Sequence, residues 1–411
     1  MSAVNAPPGT PIPGLLFTAF EPSGDQIAAP VIALLRELRP ALPVHATGAS
    51  RMKAAGATIL ETTGHDAAML TGAVAHAMAH KRRLARLRAW LCEHEVAALI
   101  PVDSPAANWS ICKLVREVHP SAKILHLVAP QVWAWGTWRI NKLRRLTDQL
   151  LCMLPFEPDW FANRDVPGVF IGHPLYSNLL DTHAPPAADL PDGGPRLALL
   201  PGSRASEHHN NWGMMFRVFE SLLTTHRGLT GVVAAVDDAA AARLAGIVPK
   251  GMVIPPDMAR PREGGGGEPR WWPASMQMRV GRVDDVLRWC DAALVVSGTA
   301  TLHTAVYEKP MVVVYNARRL TWRMAGQFII HTRTFALPNL IAESEGRPRI
   351  VPEFVPHFGA IEPVVAALVP LLSSPAARRE QVESLRWMGG LFRGINFARR
   401  AAEQVLKFVG K

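Results

Sequence analysis

Short unbroken apolar runs alternate along this chain with longer segments whose apolar residues recur every three or four positions. The runs predict buried strands, and the longer segments predict helices packed over them. In the first half the runs are Leu15–Phe20, Val44–Thr47, Ala97–Val102, Lys123–Val128 and Leu150–Leu154. Between them lie helical patterns at Asp25–Leu38, with Ile27, Val31, Leu34, Leu35 and Leu38 as the apolar stripe, at roughly Ala73–Leu91, at Ala106–Val118 and at Arg139–Arg145. Strands without polar alternation, each followed by a helix, predict a parallel sheet covered on both faces.

The alternation breaks at Thr182–Pro195, T-H-A-P-P-A-A-D-L-P-D-G-G-P, which has the composition of a linker. It then restarts: strands at Leu197–Leu200, Gly231–Val236, Ala293–Val296 and Met311–Val314, helices at about Asn211–Thr225, Ala239–Ala245, Val283–Trp289 and Ala300–Tyr307. Pro261–Pro273 interrupts it with Gly264–Gly267, and from about Ala360 the pattern is mainly helical. The expected organisation is an α/β chain: a loose lead-in at 1–13, a Rossmann-like doubly wound domain at 14–180, a linker at 181–195, a second Rossmann-like domain at 196–370, and helices at 371–411 that are free to pack back on the first domain.

Two places in the second half carry chemistry. Leu197–Arg204 reads L-A-L-L-P-G-S-R and Ala292–Thr301 reads A-A-L-V-V-S-G-T-A-T. Each is an apolar strand entering a Gly/Ser turn that opens a helix. Such turns aim backbone N–H groups, at the positive end of a helix, at whatever lies above the strand ends. Either turn alone fits ordinary close packing through glycine. The two together, with Arg204 adding a charged donor fork, point to a diphosphate, hence to a nucleotide sugar or dinucleotide. In doubly wound folds the ligand lies outside the carboxyl ends of the strands, so with two facing halves the expected place is between them, with the donor mainly on the C-terminal domain.

The 411 residues carry a formal charge of +10, which favours anionic partners. No nucleic-acid recognition module is present, so nucleic acid is not expected among them. No apolar run is long enough to span a bilayer, and the N-terminus lacks the basic start and apolar core of a signal peptide. Cys92, Cys112, Cys152 and Cys290 form no C-x-x-C pair and read as reduced thiols of a cytosolic protein. His76 and His80 have a metal-capable spacing, but no third ligand is evident, so no metal and no cofactor is expected.

The ordered series E-P-S-G-D (Glu21–Asp25), P-V-D-S-P (Pro101–Pro105), L-V-A-P-Q-V-W-A-W (Leu127–Trp135), L-P-F-E (Leu154–Glu157), I-G-H-P-L (Ile171–Leu175), L-P-G-S-R (Leu200–Arg204), S-G-T-A-T-L (Ser297–Leu302) and L-P-N-L-I-A (Leu337–Ala342) resembles the lipid-A-disaccharide synthase family, from about Leu15 to Phe408. The resemblance implies a GT-B glycosyltransferase working by inversion without a metal. It would move 2,3-diacylglucosamine from UDP to the 6-hydroxyl of 2,3-diacylglucosamine 1-phosphate and release UDP. It also implies a peripheral enzyme on the cytoplasmic face of the bacterial inner membrane, and it leaves a homodimer open.

By that resemblance Asp103 is the candidate general base, since an acceptor hydroxyl must lose its proton as it attacks; the plain alternative is a helix N-cap. Glu21, Ser23, Gly24 and Asp25 match the acceptor-side turn, with capping the alternative for Ser23. Gly202, Ser203 and Arg204, then Ser297, Gly298, Thr299 and His303, and also Asn339, match the nucleotide and diphosphate side, Arg204 stabilising the departing UDP. Trp133 and Trp135 fit either packing or stacking on a ligand. The basic helix carries Lys81, Arg82, Arg83 and Arg86 beside Met78, Leu84 and Leu87, which fits an anionic membrane surface, or else a solvated helix whose leucines are core.

Several positions depart from the family pattern. His303 replaces the glutamate that commonly grips the ribose hydroxyls, and an imidazole cannot offer a vicinal diol two anionic oxygens. Ala75, Ala106 and Asn316 also replace polar family residues, Arg318 and Arg319 lie near the last of these, and His208 and His209 follow the first turn. These losses keep open a divergent paralogue that binds nucleotide or lipid with little or no turnover. A UDP-sugar 2-epimerase of the same fold is the other alternative, though it would lack the V-W-A-W segment.

Overall fold

The computed structural model describes residues 12–63, 73–177, 182, 184–255, 258, 260–262, 267–316 and 332–410. The chain divides into two compact units, the first made of Met1–Ser177 with Gly394–Lys411, the second of Asn178–Arg393.

Unit 1 holds strands β1 (Gly14–Thr18), β2 (Val44–Gly48), β3 (Thr58–Thr62), β4 (Val96–Pro101), β5 (Lys123–Leu127), β6 (Gln149–Cys152) and β7 (Gly168–Phe170). They form one sheet in the order β3-β2-β1-β4-β5-β6-β7, every pairing parallel. Its helices are α1 (Pro22–Leu38), α2 (Ser50–Ala54), α3 (Ala73–Glu93), α4 (Pro105–Val118), α5 (Ile140–Leu146), α6 (Glu157–Ala162) and α7 (Pro174–Ser177). All five residues of β1 are buried, because successive side chains enter opposite cores. Leu15 and Phe17 pack with Val31, Ile32 and Leu35 of α1, whereas Leu16 packs with Leu87 and Leu91 of α3 and Ile111 and Val115 of α4.

Unit 2 repeats the plan with β8 (Arg196–Leu200), β9 (Thr230–Ala235), β10 (Met276–Val280), β11 (Ala292–Val296), β12 (Met311–Val314) and β13 (Glu353–Phe354), ordered β10-β9-β8-β11-β12-β13 and again parallel throughout. Its helices are α8 (Ala205–Thr225), α9 (Asp238–Gly246), α10 (Val283–Trp289), α11 (Thr299–Val306), α12 (Leu337–Ser344), α13 (Glu362–Ser373) and α14 (Pro375–Gly390). Trp212, Phe216 and Phe219 of α8 and Leu368 and Leu372 of α13 share one core with Leu197, Leu199 and Leu294.

The last helix, α15 (Phe397–Val409), belongs to unit 1. Phe397, Ala401, Ala402 and Val405 are buried against α1, β4 and β5. Asn396 caps the helix, and Ser177 Oγ takes the N–H of Phe397. The helical C-terminal stretch is therefore divided, with α14 held in unit 2 by Leu385, Met388 and an Arg386–Glu308 ion pair. The Pro-rich stretch is also anchored. Arg282 grips Asp189 with two nitrogens at 2.6 and 2.9 Å, Trp289 Nε1 donates to Pro191 O, and Leu190 is buried.

Several elements differ from the pattern in the sequence. Helix α8 begins at Ala205 rather than near Asn211, because the polar run E-H-H-N-N conceals its first turns. Helix α1 begins at Pro22, a residue suited to the first helical position. Strands β3 and β10 carry polar residues within short edges and give no clear period.

Phe397 is the anchor of α15, so Phe397→Ala should destabilise unit 1 by about 3–5 kcal/mol, the range for emptying a buried phenylalanine site. Urea unfolding followed by tryptophan fluorescence measures it. A loss below about 1 kcal/mol would show that α15 packs too loosely to support the sheet.

Candidate active site

Where the strand order of a parallel sheet reverses, two adjacent strands send the chain in opposite directions and their carboxyl ends leave a crevice. In unit 1 that point lies between β1 and β4. The Glu21–Asp25 turn follows β1 and the Asp103–Pro105 turn follows β4, and Ser104 Oγ donates to Glu21 Oε1 at 3.0 Å across the gap. Asp103 and Ser104 are both left-handed, at φ 47° and 36°. Non-glycine residues rarely adopt that conformation unless their surroundings enforce it. Asn108, which sequence reasoning passed over, lies buried beneath them and bonds the carbonyls of both.

The other residues of the first turn divide by role. Gly24 lets α1 press on β1, since a Cβ there would stand 3.1 Å from that of Ala19. Asp25 is buried, and its carboxylate accepts the N–H groups of Ala49, Arg51 and Met52. It caps α2 and so frames the site, while Ser23 and Glu21 are exposed.

The next strand end carries the V-W-A-W segment. Val128 is left-handed at φ 72°, and the buried His126 places Nδ1 3.1 Å from its carbonyl. Burial holds His126 neutral, pushing it down to about 4, and because a carbonyl only accepts, this contact requires the Nδ1–H tautomer. The two tryptophans separate. Trp133 is buried, edge-on to Phe156, and its Nε1 donates to Glu157 Oε1 at 3.1 Å. Trp135 is 48% exposed with the Arg139 guanidinium 3.7 Å over its ring. Glu157 Oε2 also accepts from Met153 and Leu154 N–H. Burial outweighs these donors and raises the Glu157 carboxyl to about 7.

In unit 2 the reversal lies between β8 and β11, the strands that carry the two glycine turns. The first turn is already filled. Glu207 Oε2 accepts from Ser203 N at 2.9 Å and Arg204 N at 3.1 Å, and Oε1 stands 3.2 Å from the Arg204 guanidinium. Gly202, at φ 93°, must be glycine because a Cβ would meet that carboxylate at 2.2 Å. The expectation of unoccupied N–H groups here is thus corrected: the turn's own glutamate takes them, and what it offers outward is the exposed Arg204 side chain. His208 is buried with Nε2 3.0 Å from Gly202 O, and burial lowers its pKa. His209 is exposed.

The second turn is open. Gly298, at φ 137°, is the N-cap of α11, whose first residue is Thr299, and it brings no side chain to cap the helix. Ser297 Oγ donates to Phe335 O and Thr301 Oγ1 to Gly298 O. His303 places Nε2 2.7 Å from Asp284 Oδ1, which also accepts from Tyr307 OH at 2.8 Å. A carboxylate therefore stands beside the position from which the family glutamate is missing, supplied by α10. Asn339 is fully buried. Its amide bonds Val351 O, Glu353 Oε2 and the N–H groups of Ile350 and Val351, so its place is in the frame of the site. Asn316 is likewise internal, its N–H given to Asn211 Oδ1 and its Oδ1 accepting from His357 N.

On α3, Leu87 is core and Leu84 is packed against it. Arg83 and Arg86 both pair with Glu61, at 3.0 and 2.9 Å. Lys81, Arg82 and Met78 are exposed, as is Trp138, at 58%. His80 meets Ser110 Oγ at 2.9 Å. The side chains of Ala75 and His76, together with Gly264–Gly266, Arg318 and Arg319, lie outside the described residues.

A family model described as lipid-A-disaccharide synthetase matches residues 15–248 and 276–404. The lipid-A-disaccharide synthase of Azotobacter vinelandii is 32% identical over 400 residues, covering 95% of this chain and 96% of its own. That of Pseudomonas aeruginosa is 30% identical over 402 residues, covering 95% and 97%. Among solved structures, the glycotransferase of kitacinnamycin superposes with a TM-score of 0.61 at 16% identity, over 97% of this chain and 100% of its own. A UDP-GlcNAc 2-epimerase from Neisseria meningitidis does so with 0.58 at 10%, over 96% and 99%. Identities this low speak for the fold alone, which is GT-B.

Glu157 makes stability depend on pH. Its folded pKa of about 7 lies above the ordinary 4.5, so the folded chain binds this proton more tightly than the unfolded one. The contribution is fully present below about pH 4.5 and is lost as pH rises to about 7. Relative to Glu157→Gln, the parent should lose unfolding free energy across that window and run parallel to the variant outside it. A constant difference from pH 4 to 8 would contradict the burial argument.

Proposed function

The chain belongs to the lipid-A-disaccharide synthetase family, and on that premise we propose how its residues carry out the family's reaction. The protein is a glycosyltransferase of lipid A biosynthesis. Its donor is read as UDP-2,3-diacylglucosamine and its acceptor as 2,3-diacylglucosamine 1-phosphate, the donor assigned to unit 2 and the acceptor to unit 1. One observation carries the reading. Four motifs scattered along the chain meet in pairs at the two strand-order reversals, those of Glu21 and Asp103 at one, those of Arg204 and Gly298 at the other.

Asp103 is assigned as general base. Its carboxylate takes the proton of the acceptor 6-hydroxyl as that oxygen bonds the anomeric carbon, and the bond from that carbon to the UDP oxygen breaks. The leaving diphosphate gathers negative charge. Arg204, held by Glu207, and the glycine-led start of α11 supply the fixed positive field that stabilises it. For the ribose hydroxyls the anionic acceptor is Asp284, half-exposed and oriented by His303 and Tyr307. The loss of glutamate at position 303 thus does not remove carboxylate chemistry from this end of α11, which favours an active enzyme over a silent paralogue. The epimerase alternative has the fold in its support but not the family.

Both substrates carry acyl chains and are drawn from a bilayer. Among the described residues no helix is long and apolar enough to cross one. We assign contact with the cytoplasmic face of the inner membrane to unit 1, through Lys81 and Arg82 on α3 and the exposed Trp135 and Trp138. Tryptophans at an interface pair an apolar ring with a polar edge, and each cation near an anionic surface contributes on the order of 1 kcal/mol. Arg83 and Arg86 contribute less, since Glu61 offsets them.

Kinetics separate the two assigned roles. Asp103→Asn should lower kcat by on the order of 10²–10⁴ with donor KM little changed, as befits a group acting in the transition state. Arg204→Ala should reduce kcat by about 10²–10³ and leave the fold intact. Parental rates in either variant would remove that residue from the reaction. For the membrane, Lys81→Glu/Arg82→Glu and Trp135→Ser/Trp138→Ser should each weaken co-sedimentation with anionic vesicles, the first pair mainly at low salt. Equal binding by parent and both pairs would dispose of this surface.

A further inference from the structure

Two successive left-handed residues, Asp103 and Ser104, follow β4. Such a conformation is strained for a non-glycine residue and persists only where its surroundings over-determine it. Ordinary capping by the N-cap residue does not do so, since Ser104 makes no side-chain cap bond to α4 and turns its hydroxyl to Glu21. Asn108 does. It is fully buried one turn into α4, and its Nδ2 lies 3.0 Å from Asp103 O and 3.3 Å from both Val102 O and Ser104 O. Its Oδ1 accepts from Thr18 Oγ1 at 2.6 Å. Thr18 is the last residue of β1, the neighbouring strand at the reversal. One amide therefore fastens the carbonyls of the strained turn that follows β4 to the end of β1. The Thr18 hydroxyl fixes the amide oxygen toward β1 and the NH₂ toward the turn.

We propose that Asn108 is the positioning residue for Asp103, with Thr18 orienting it. It touches no substrate. It holds the Asp103 backbone in the left-handed conformation from which the carboxylate is aimed, and a turn relaxed to ordinary φ would re-aim that side chain. This rests on reading Asp103 as the general base.

The test is a double-mutant cycle on the full-length enzyme, with donor and acceptor supplied. Asn108→Asp keeps the shape but replaces the gripping NH₂ with an oxygen that repels the three carbonyls. It should lower kcat by about 10²-fold, leave donor KM within about twofold and shift the acid limb of the kcat–pH profile. In an Asp103→Asn background the same change should cost no more than about twofold further, because the group it aims is already gone. Thr18→Val removes only the anchor and should behave alike with a smaller loss, about tenfold. It carries the cycle if Asn108→Asp fails to fold. Equal fold-losses with and without Asp103 would overturn the proposal, showing that Asn108 and Thr18 act on the fold at large. A parental rate in Asp103→Asn alone would overturn the general-base reading first, and the proposal with it.

Discussion

A parallel strand cannot turn back on itself, and this constraint governs the whole molecule. Each strand must hand the chain to a crossover, and at the one place where the crossovers change direction two neighbouring strand ends are left without a connection covering them. Unit 1 has that place between β1 and β4, unit 2 between β8 and β11. These four central strands are almost wholly apolar and buried, so polar residues near them are confined to the turns at their ends. Four of the sequence motifs, E-P-S-G-D, P-V-D-S-P, L-P-G-S-R and S-G-T-A-T-L, fall on those turns for this reason.

What fixes the turns is a recurring device, a buried amide or carboxylate that satisfies backbone groups of a neighbouring segment. Asn108 grips the β4 turn, Asn211 receives Asn316 N, and Asn339 pairs with residues 350 and 351. Asp25 caps α2, Glu207 closes the first glycine turn, Glu157 ties the V-W-A-W segment to the end of β6, and Glu353 takes Phe335 N and Ala336 N. Buried polar groups need such partners, and when all are satisfied they define a single arrangement. The residues assigned to the chemistry, Asp103, Arg204 and Asp284, are carried on that frame.

This division explains how far the sequence could be read. The doubly wound architecture was legible because Leu15–Thr18, Leu197–Leu200 and Ala292–Val296 are unbroken apolar runs followed by glycine- or proline-marked turns. The frame was less so. Nothing local marks Asn108, whose key partner Thr18 is far away in sequence, or Asp284, whose importance depends on His303 across another helix. Glu207 could have been found: a glutamate three residues after the start of a helix is a capping signal, and it changes what the P-G-S-R turn offers. The leucines of α3 fit core and membrane equally well by spacing alone, and only packing against Leu16 and Ile111 places Leu87 inside. Asn339 matches a family motif, but its four internal hydrogen bonds to residues 350, 351 and 353 could not be read from that motif.

The central claim is that donor and acceptor are each held at a strand-order reversal, one in each unit. Hydrogen–deuterium exchange read by mass spectrometry tests it most directly, with the enzyme alone, with UDP-diacylglucosamine, and with the acceptor lipid in neutral detergent. The account predicts that the donor alone slows exchange at 297–303 and 282–288, and that the acceptor alone slows it at 19–25 and 103–108. Protection by the donor confined to unit 1, or by either substrate at segments away from these strand ends, would contradict it.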